Sequence, residues 1–423
     1  MRRWLMHGGL TVSIVALAAL LRLAFVWWAP RELSGDGYHY HLSALVLMQG
    51  GGYSDFDGSP SIRWMPGWPY LLAAFYSAFG VGPWAPMIFN ALAGASTTAV
   101  LIRLGRIFWR PSTGWVAGAL YAIWPGNIYY CATLMTEPVF NLVLVLCLWG
   151  LVEAGVAPRS KRTIWTAAAG AMFACLVMIK AEPLVLLPVA IGLIATARYP
   201  GAFRRNVVVF VAMGSVLLIP WTIRNYRAFD RVIITTAMAG ANAWLGNHPG
   251  ASGGQSVARM SAFMKEHEAA NLAETLIAAS RSGSERAVQF VLEHPAEALS
   301  ILANKLRLTY ASDAASARLV RGVGVGRTGF ITEREFDALL WVANAYWVAI
   351  AILVAAGLCS WRDWGWAARL ICVGVPVSYL AVHLVFLGGP RFHAPETPAY
   401  ALIAAMALVR WIPALRAAQP ARR

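Results

Sequence analysis

The sequence is short of charge. Only 13% of its 423 residues are charged and 59% are hydrophobic, where a soluble chain carries about 25% charged residues. That shortage, with apolar stretches near membrane-spanning length recurring throughout, excludes a soluble domain on a single anchor. Cysteine is also scarce. Cys131, Cys147, Cys175, Cys359 and Cys372 lie in or beside apolar runs without paired spacing. They read as small buried residues, not as a disulfide or zinc framework. There is no P-loop, no dinucleotide fingerprint after a strand and no Gly-x-Ser-x-Gly elbow, which argues against ATP-driven transport. Acidic residues are few as well, 20 Asp and Glu against 35 Lys and Arg. The balance of +15 could suggest nucleic acid, but the positions of the charges argue otherwise.

What is present is a series of apolar runs. The first, Gly8 to Ala29, is too long for a signal-peptide core of about 7–15 residues and reads as an uncleaved span. Further spans are expected near 83–102, 113–131, 134–152, 164–179, 183–197, 206–223, 338–358, 367–387 and 396–412. That makes about ten. Basic residues concentrate on alternate connections: Arg2 and Arg3; Arg103, Arg106 and Arg110; Arg159, Lys161 and Arg162; Arg198, Arg204 and Arg205; Arg362 and Arg369; Arg410, Arg416, Arg422 and Arg423. The opposite connections hold only Arg31, Arg63, Lys180 and Arg391. Both termini are therefore expected in the cytoplasm. The parity requires 67–80 to be a juxtamembrane or re-entrant helix. The basic excess is thus a topology signal, which removes most of the case for nucleic acid.

The chain divides into an N-terminal membrane module, 1–225, with its first outer loop at 30–66; an outer segment, 226–337; and C-terminal spans, 338–423. The first outer loop carries Leu33-Ser34-Gly35-Asp36-Gly37-Tyr38-His39-Tyr40. A carboxylate at a membrane boundary is a functional candidate, although Asp36 could equally cap a helix starting at Tyr38. That helix is expected over 38–48, with Leu42, Leu45 and Val46 on its apolar side. The outer segment is expected to hold helices near 257–280, 284–293 and 295–309.

Two carboxylates, Asp36 and Glu137, with Glu182 a weaker third, share this outer face with the cations Arg63, Lys180, Arg224 and Arg391. Any one arginine could simply snorkel toward headgroups. As a set they are unexpected on the side that the charge rule leaves poor in cations. Arginine forks suit phosphate oxygens. A carboxylate beside bound phosphate fits a lipid-phosphate leaving group and an acceptor hydroxyl needing a general base. His39 and His41 do not share a helical face. Asp36 and His39 could, but zinc usually needs three or four ligands. Secondary transport predicts charges at mid-span, and these mid-spans are nearly free of them.

Several stretches together resemble the GT-C membrane glycosyltransferases, in the branch similar to protein O-mannosyltransferases and the lipid A aminoarabinose transferase. They are Gly35-Asp36-Gly37-Tyr38, Arg63-Trp64-Met65-Pro66-Gly67-Trp68-Pro69, Trp124-Pro125-Gly126-Asn127-Ile128-Tyr129-Tyr130 with Leu134-Met135-Thr136-Glu137-Pro138, Pro220-Trp221-Thr222-Ile223-Arg224-Asn225-Tyr226, Gly246-Asn247-His248-Pro249 and Arg391-Phe392-His393-Ala394-Pro395. The resemblance implies an all-α polytopic membrane protein, a GT-C bundle with outer juxtamembrane helices and a mainly helical outer segment. It implies a polyprenyl-phosphate-linked sugar as donor and inverting transfer to an acceptor hydroxyl at the outer leaflet of a bacterial inner membrane. Asp36 would be the general base. Glu137, with Tyr38, His39, Asn247 and His248, would bind acceptor or sugar, and Arg63, Lys180, Arg224 and Arg391 the donor phosphate. Where the family often has Asp followed by Glu, this chain has Gly37. No metal ligand set is assigned, and a divalent metal is open but not favoured. The acceptor could be protein, lipid or glycan. A flippase for lipid-linked sugar, or a polyprenyl-lipid-binding protein without catalysis, would use the same cavity without a base.

Overall fold

The computed structural model describes residues 2–29, 33–196, 200–321, 331–413 and 415. Arg31, Arg198, Arg416, Arg422 and Arg423 lie outside them. Among the described residues twenty α-helices follow one another: α1 (Arg2–Trp28), α2 (Gly35–Met48), α3 (Gly67–Phe79), α4 (Trp84–Phe108), α5 (Pro111–Ala122), α6 (Pro125–Tyr130), α7 (Glu137–Val156), α8 (Arg159–Ile179), α9 (Leu187–Ala195), α10 (Phe203–Ser215), α11 (Leu218–Phe229), α12 (Ala239–Gly246), α13 (Val257–Glu266), α14 (Leu272–Glu293), α15 (Pro295–Tyr310), α16 (Ala315–Val320), α17 (Glu333–Leu358), α18 (Trp366–Arg369), α19 (Val375–Val385) and α20 (Thr397–Trp411). No strand occurs among the described residues. This is an all-α polytopic membrane protein.

Each predicted span contains helix, but not always one unbroken helix. Among the described residues, six helical segments are long and apolar enough to cross a membrane: in α1, α4, α7, α8 and α17, and across Trp366–Val385, where a π-helical stretch at Leu370–Gly374 joins α18 to α19. The pair α10 and α11 is bent by 45°. The run predicted at 113–131 splits into α5 and α6, because Pro125 brings no N–H and clashes with a preceding turn. The carbonyls left at the end of α5 find a partner in Arg22 of α1. Its guanidinium donates to Tyr121 O at 3.0 Å and to Ala122 O at 2.9 Å, and the side chain is fully buried. Gly94 gives it room; a Cβ there would lie 2.3 Å from Arg22 Nε. Small residues also let helices approach closely. A Cβ on Gly105 of α4 would lie 2.7 Å from the Gly114 backbone of α5.

The helices expected on the outer side depart from expectation in two places. The helix expected over 257–280 breaks into α13 and α14, since Asn271 takes up the Glu274 N–H as an N-cap. α14 then runs unbroken through 281–283, where Gly283 lies against α12. In α2 the buried residues are Gly37, Tyr40, Ser43 and Ala44, while Leu42, Leu45 and Val46 are half-buried. The helix starts three residues earlier than expected. Of the cysteines, Cys131, Cys147 and Cys372 are buried, but Cys359 is exposed.

Candidate active site

Four chain segments deliver one charged group each. Gly35 adopts φ +55°, a conformation that favours glycine. With Ser34 as cap residue, α2 therefore starts at Gly35 and carries Asp36 in its first turn. The capping reading of Asp36 is thereby replaced: Ser34 is the cap residue, its hydroxyl donates to Leu319 O, and the Asp36 carboxylate turns to Arg391. Glu137 opens α7 beside Pro138, the residue type that suits a helix start. Lys180 is the extended residue that ends α8. Arg391 comes from the turn between α19 and α20, which is tied to the outer segment by Gly388 N–H to Gly253 O at 2.9 Å.

These groups form an alternating chain of charge. Arg391 Nη1 donates to Asp36 Oδ2 at 2.5 Å and Nε donates to Glu137 Oε1 at 2.8 Å. Lys180 Nζ donates to the same Glu137 oxygen at 3.0 Å. Glu137 is buried and its Oε2 has no partner. Asp36 and Arg391 remain 21% and 25% exposed at the side chain, so this end of the chain can be reached from outside. Burial opposes the Arg391 charge, but Glu137 and Asp36 more than offset it and hold the guanidinium protonated.

A cavity of roughly 450 Å³ adjoins the chain. Arg391, Lys180, Arg63, Glu182, Tyr40 and Asn242 supply its polar lining, and Ile179, Leu184, Val185, Val382, Phe386 and Phe392 much of its apolar lining. Arg63 Nε and Glu182 Oε2 are buried without hydrogen-bond partners. Such groups are costly unless a ligand completes them. Burial, then the nearby Asp36 charge, pushes the Tyr40 hydroxyl well above its ordinary range.

The other predicted residues fall elsewhere. Arg224 does not line the cavity. It donates to Tyr53 O at 2.5 Å and Ser61 O at 2.8 Å, which holds the first outer loop against α11. Asn247 bridges Ala243 O and Val385 O, and accepts from Lys305 Nζ. His248 packs on Trp244 with Nδ1 against Pro249 O. Tyr38 is exposed. His39 is half-buried near Phe56, and burial, then Arg63, lowers its pKa. Among the described residues no three His, Cys, Asp or Glu side chains gather as a metal site.

Two residues behind Arg391, His393 is fully buried. Its Nε2 meets Asp313 Oδ1 at 3.1 Å and its Nδ1 meets Thr309 O at 2.8 Å. Burial would lower its pKa, but the hydrogen bond and charge of Asp313 prevail and raise it. Asp313 also accepts from Trp124 Nε1 at 2.8 Å. A Cβ on Gly126 would lie 2.4 Å from the same carboxylate. Asp313 and Arg22 were the residues sequence reasoning missed. Arg22 left one signal, a lone cation inside the first apolar run; Asp313 left none.

Residues 60–223 match the family described as dolichyl-phosphate-mannose-protein mannosyltransferase. No curated protein matches the sequence significantly. Among solved structures, the archaeal oligosaccharyltransferase AglB from Archaeoglobus fulgidus, in complex with an inhibitory peptide and a dolichol-phosphate, matches over 100% of this chain and 53% of its own, at 14% identity and TM-score 0.57. The apo form from the same organism covers 99% and 52%, at 14% identity and TM-score 0.58. ArnT from Cupriavidus metallidurans bound to undecaprenyl phosphate is a looser likeness, covering 95% and 78% at 17% identity and TM-score 0.45. The chain spans about half the length of the oligosaccharyltransferase chains it matches. The protein therefore has the GT-C fold of membrane glycosyltransferases, with residues 60–223 matching the mannosyltransferase family model.

Proposed function

We propose that this protein is an inverting glycosyltransferase that moves a sugar from a polyprenyl-phosphate donor to an acceptor hydroxyl at the outer face of a bacterial inner membrane, with both termini cytoplasmic. The observation that carries the reading is the Asp36–Arg391–Glu137–Lys180 chain beside a cavity with unsatisfied charged groups. The donor phosphate binds among Arg63, Lys180 and Arg391, and the apolar lining receives the first isoprene units. Arg224 acts one step removed, by fixing the loop that carries Arg63. Asp36 Oδ2 is held by Arg391, and Oδ1 has no hydrogen-bond partner among the described residues. Oδ1 accepts the proton of the acceptor hydroxyl as its oxygen attacks the anomeric carbon. The carbon–oxygen bond to phosphate breaks, and its electron pair leaves on the lipid phosphate, where the cations stabilise it. Glu137 holds Arg391 and Lys180 apart at the spacing this requires.

The reading is tested by turnover. Purified protein should carry a polyprenyl-phosphate sugar identifiable by mass spectrometry, and added acceptor should convert it to the free lipid phosphate. A protein that moves the intact lipid between leaflets and never cleaves it would contradict the proposal.

A further inference from the structure

A second cavity of roughly 590 Å³ lies at the opposite end of α4 and α20 from the charge chain. It is lined by the end of α4, the start of α5, the connection between α17 and α18, and the last turn of α20. This is an arginine-rich end of the bundle. Three hydrogen-bond donors line the cavity without partners among the described residues. The Arg110 guanidinium is half-buried and makes no ion pair. Trp109 Nε1 is buried and unsatisfied. Thr113 is 1% exposed, and its hydroxyl makes no hydrogen bond. The other polar groups of the lining pair among themselves: Asp363 Oδ2 accepts from Arg410 at 3.1 Å, and Ser360 donates to Gly357 O while receiving Trp364 Nε1. The remaining walls, Phe108, Trp364, Met406 and Val409, are apolar.

Donors without a partner suit an anion rich in oxygen, and an arginine fork suits phosphate in particular. Apolar walls beside such a cluster suit a hydrocarbon chain. From the three unpartnered donors Arg110, Trp109 and Thr113 in this cavity, we infer a binding site for the phosphate headgroup of an anionic lipid, separate from the outer cavity. The phosphate takes the Arg110 fork and the Thr113 hydroxyl, and its first methylenes lie along Phe108 and Met406. The inference does not depend on glycosyl transfer.

The full chain in detergent provides the test, with three probes titrated separately: a short-chain phosphatidylglycerol, farnesyl phosphate and inorganic phosphate. Arg110→Gln and Thr113→Val should each weaken binding of at least one lipid probe about tenfold or more, the scale of one charge-assisted hydrogen bond. Arg106→Gln, exposed in the last turn of α4, should leave it unchanged. A loss confined to phosphatidylglycerol assigns a bilayer phospholipid, and one confined to farnesyl phosphate assigns a polyprenyl carrier. Wild-type affinity for both lipids in Arg110→Gln overturns the site. So does inorganic phosphate binding as tightly as either lipid, because the chain would then contribute nothing. Thermal unfolding of each variant separates a binding loss from a folding loss.

Discussion

The turn between α19 and α20 carries two acid–cation pairs two residues apart, and they differ in access. Arg391 with Asp36 is about a quarter to a fifth exposed and borders a cavity. His393 with Asp313 is 0% and 6% exposed at the side chains, with the Trp347 ring stacked 4.5 Å from the imidazole. An incoming phosphate can compete for the first pair. Nothing can reach the second without unpacking the bundle. On that difference we propose the first pair for chemistry and the second for positioning; a buried ion pair alone is weak evidence of a site.

The largest break should come from Arg391→Gln. It leaves Asp36 and Glu137 facing each other without their shared cation. Breaking a buried pair costs about 3–5 kcal/mol; partial exposure of Asp36 places this variant toward the low end. Turnover should fall below detection, and thermal unfolding should shift down. Asp313→Asn should come next. It removes the charge that balances His393, costing about 1–3 kcal/mol, and should lower kcat through a displaced Arg391 while donor affinity changes less. A wild-type kcat in Asp313→Asn would remove the positioning role. Lys180→Met should be milder, raising the donor KM several-fold as one phosphate contact is lost. An unchanged donor KM would take Lys180 out of the phosphate site.

The smallest effect separates the pairs by pH. The His393 pKa is raised in the folded protein. The stability this pair contributes is therefore fully present below the unfolded value near about 6.5 and is lost as pH rises through the raised folded value. Melting temperature should fall across that window in the wild type and stay flatter in Asp313→Asn. Equal slopes would contradict the ion pair.

Much of the outer site was legible because topology and chemistry pointed the same way. Asp36, Glu137, Lys180 and Arg391 are boundary charges on the side expected to be poor in cations, and the fold gathers all four. Arg224 looked like a fifth member. Its distance from the cavity depends on how the loop at 53–61 folds back, which no local pattern encodes. Asp313 sits in a polar stretch where acids are ordinary, and its meaning arises only from contact with His393, 80 residues away. Arg22 shows the limit of hydropathy. A mid-span cation is functional by default, yet here it satisfies carbonyls that Pro125 interrupts. The break before Pro125 followed the same rule, since proline marks where a run can break but not whether the pieces remain collinear.

The central claim is that Asp36 takes a proton and does not merely complete an ion pair. Its most direct test is Asp36→Asn, which keeps the shape and the Arg391 hydrogen bond but cannot act as a base. Donor binding and turnover should be measured on the same purified preparation. The account predicts donor affinity within a few-fold of wild type and a kcat lowered about 10²–10⁴-fold, the usual contribution of a general base. Wild-type turnover in Asp36→Asn would contradict it.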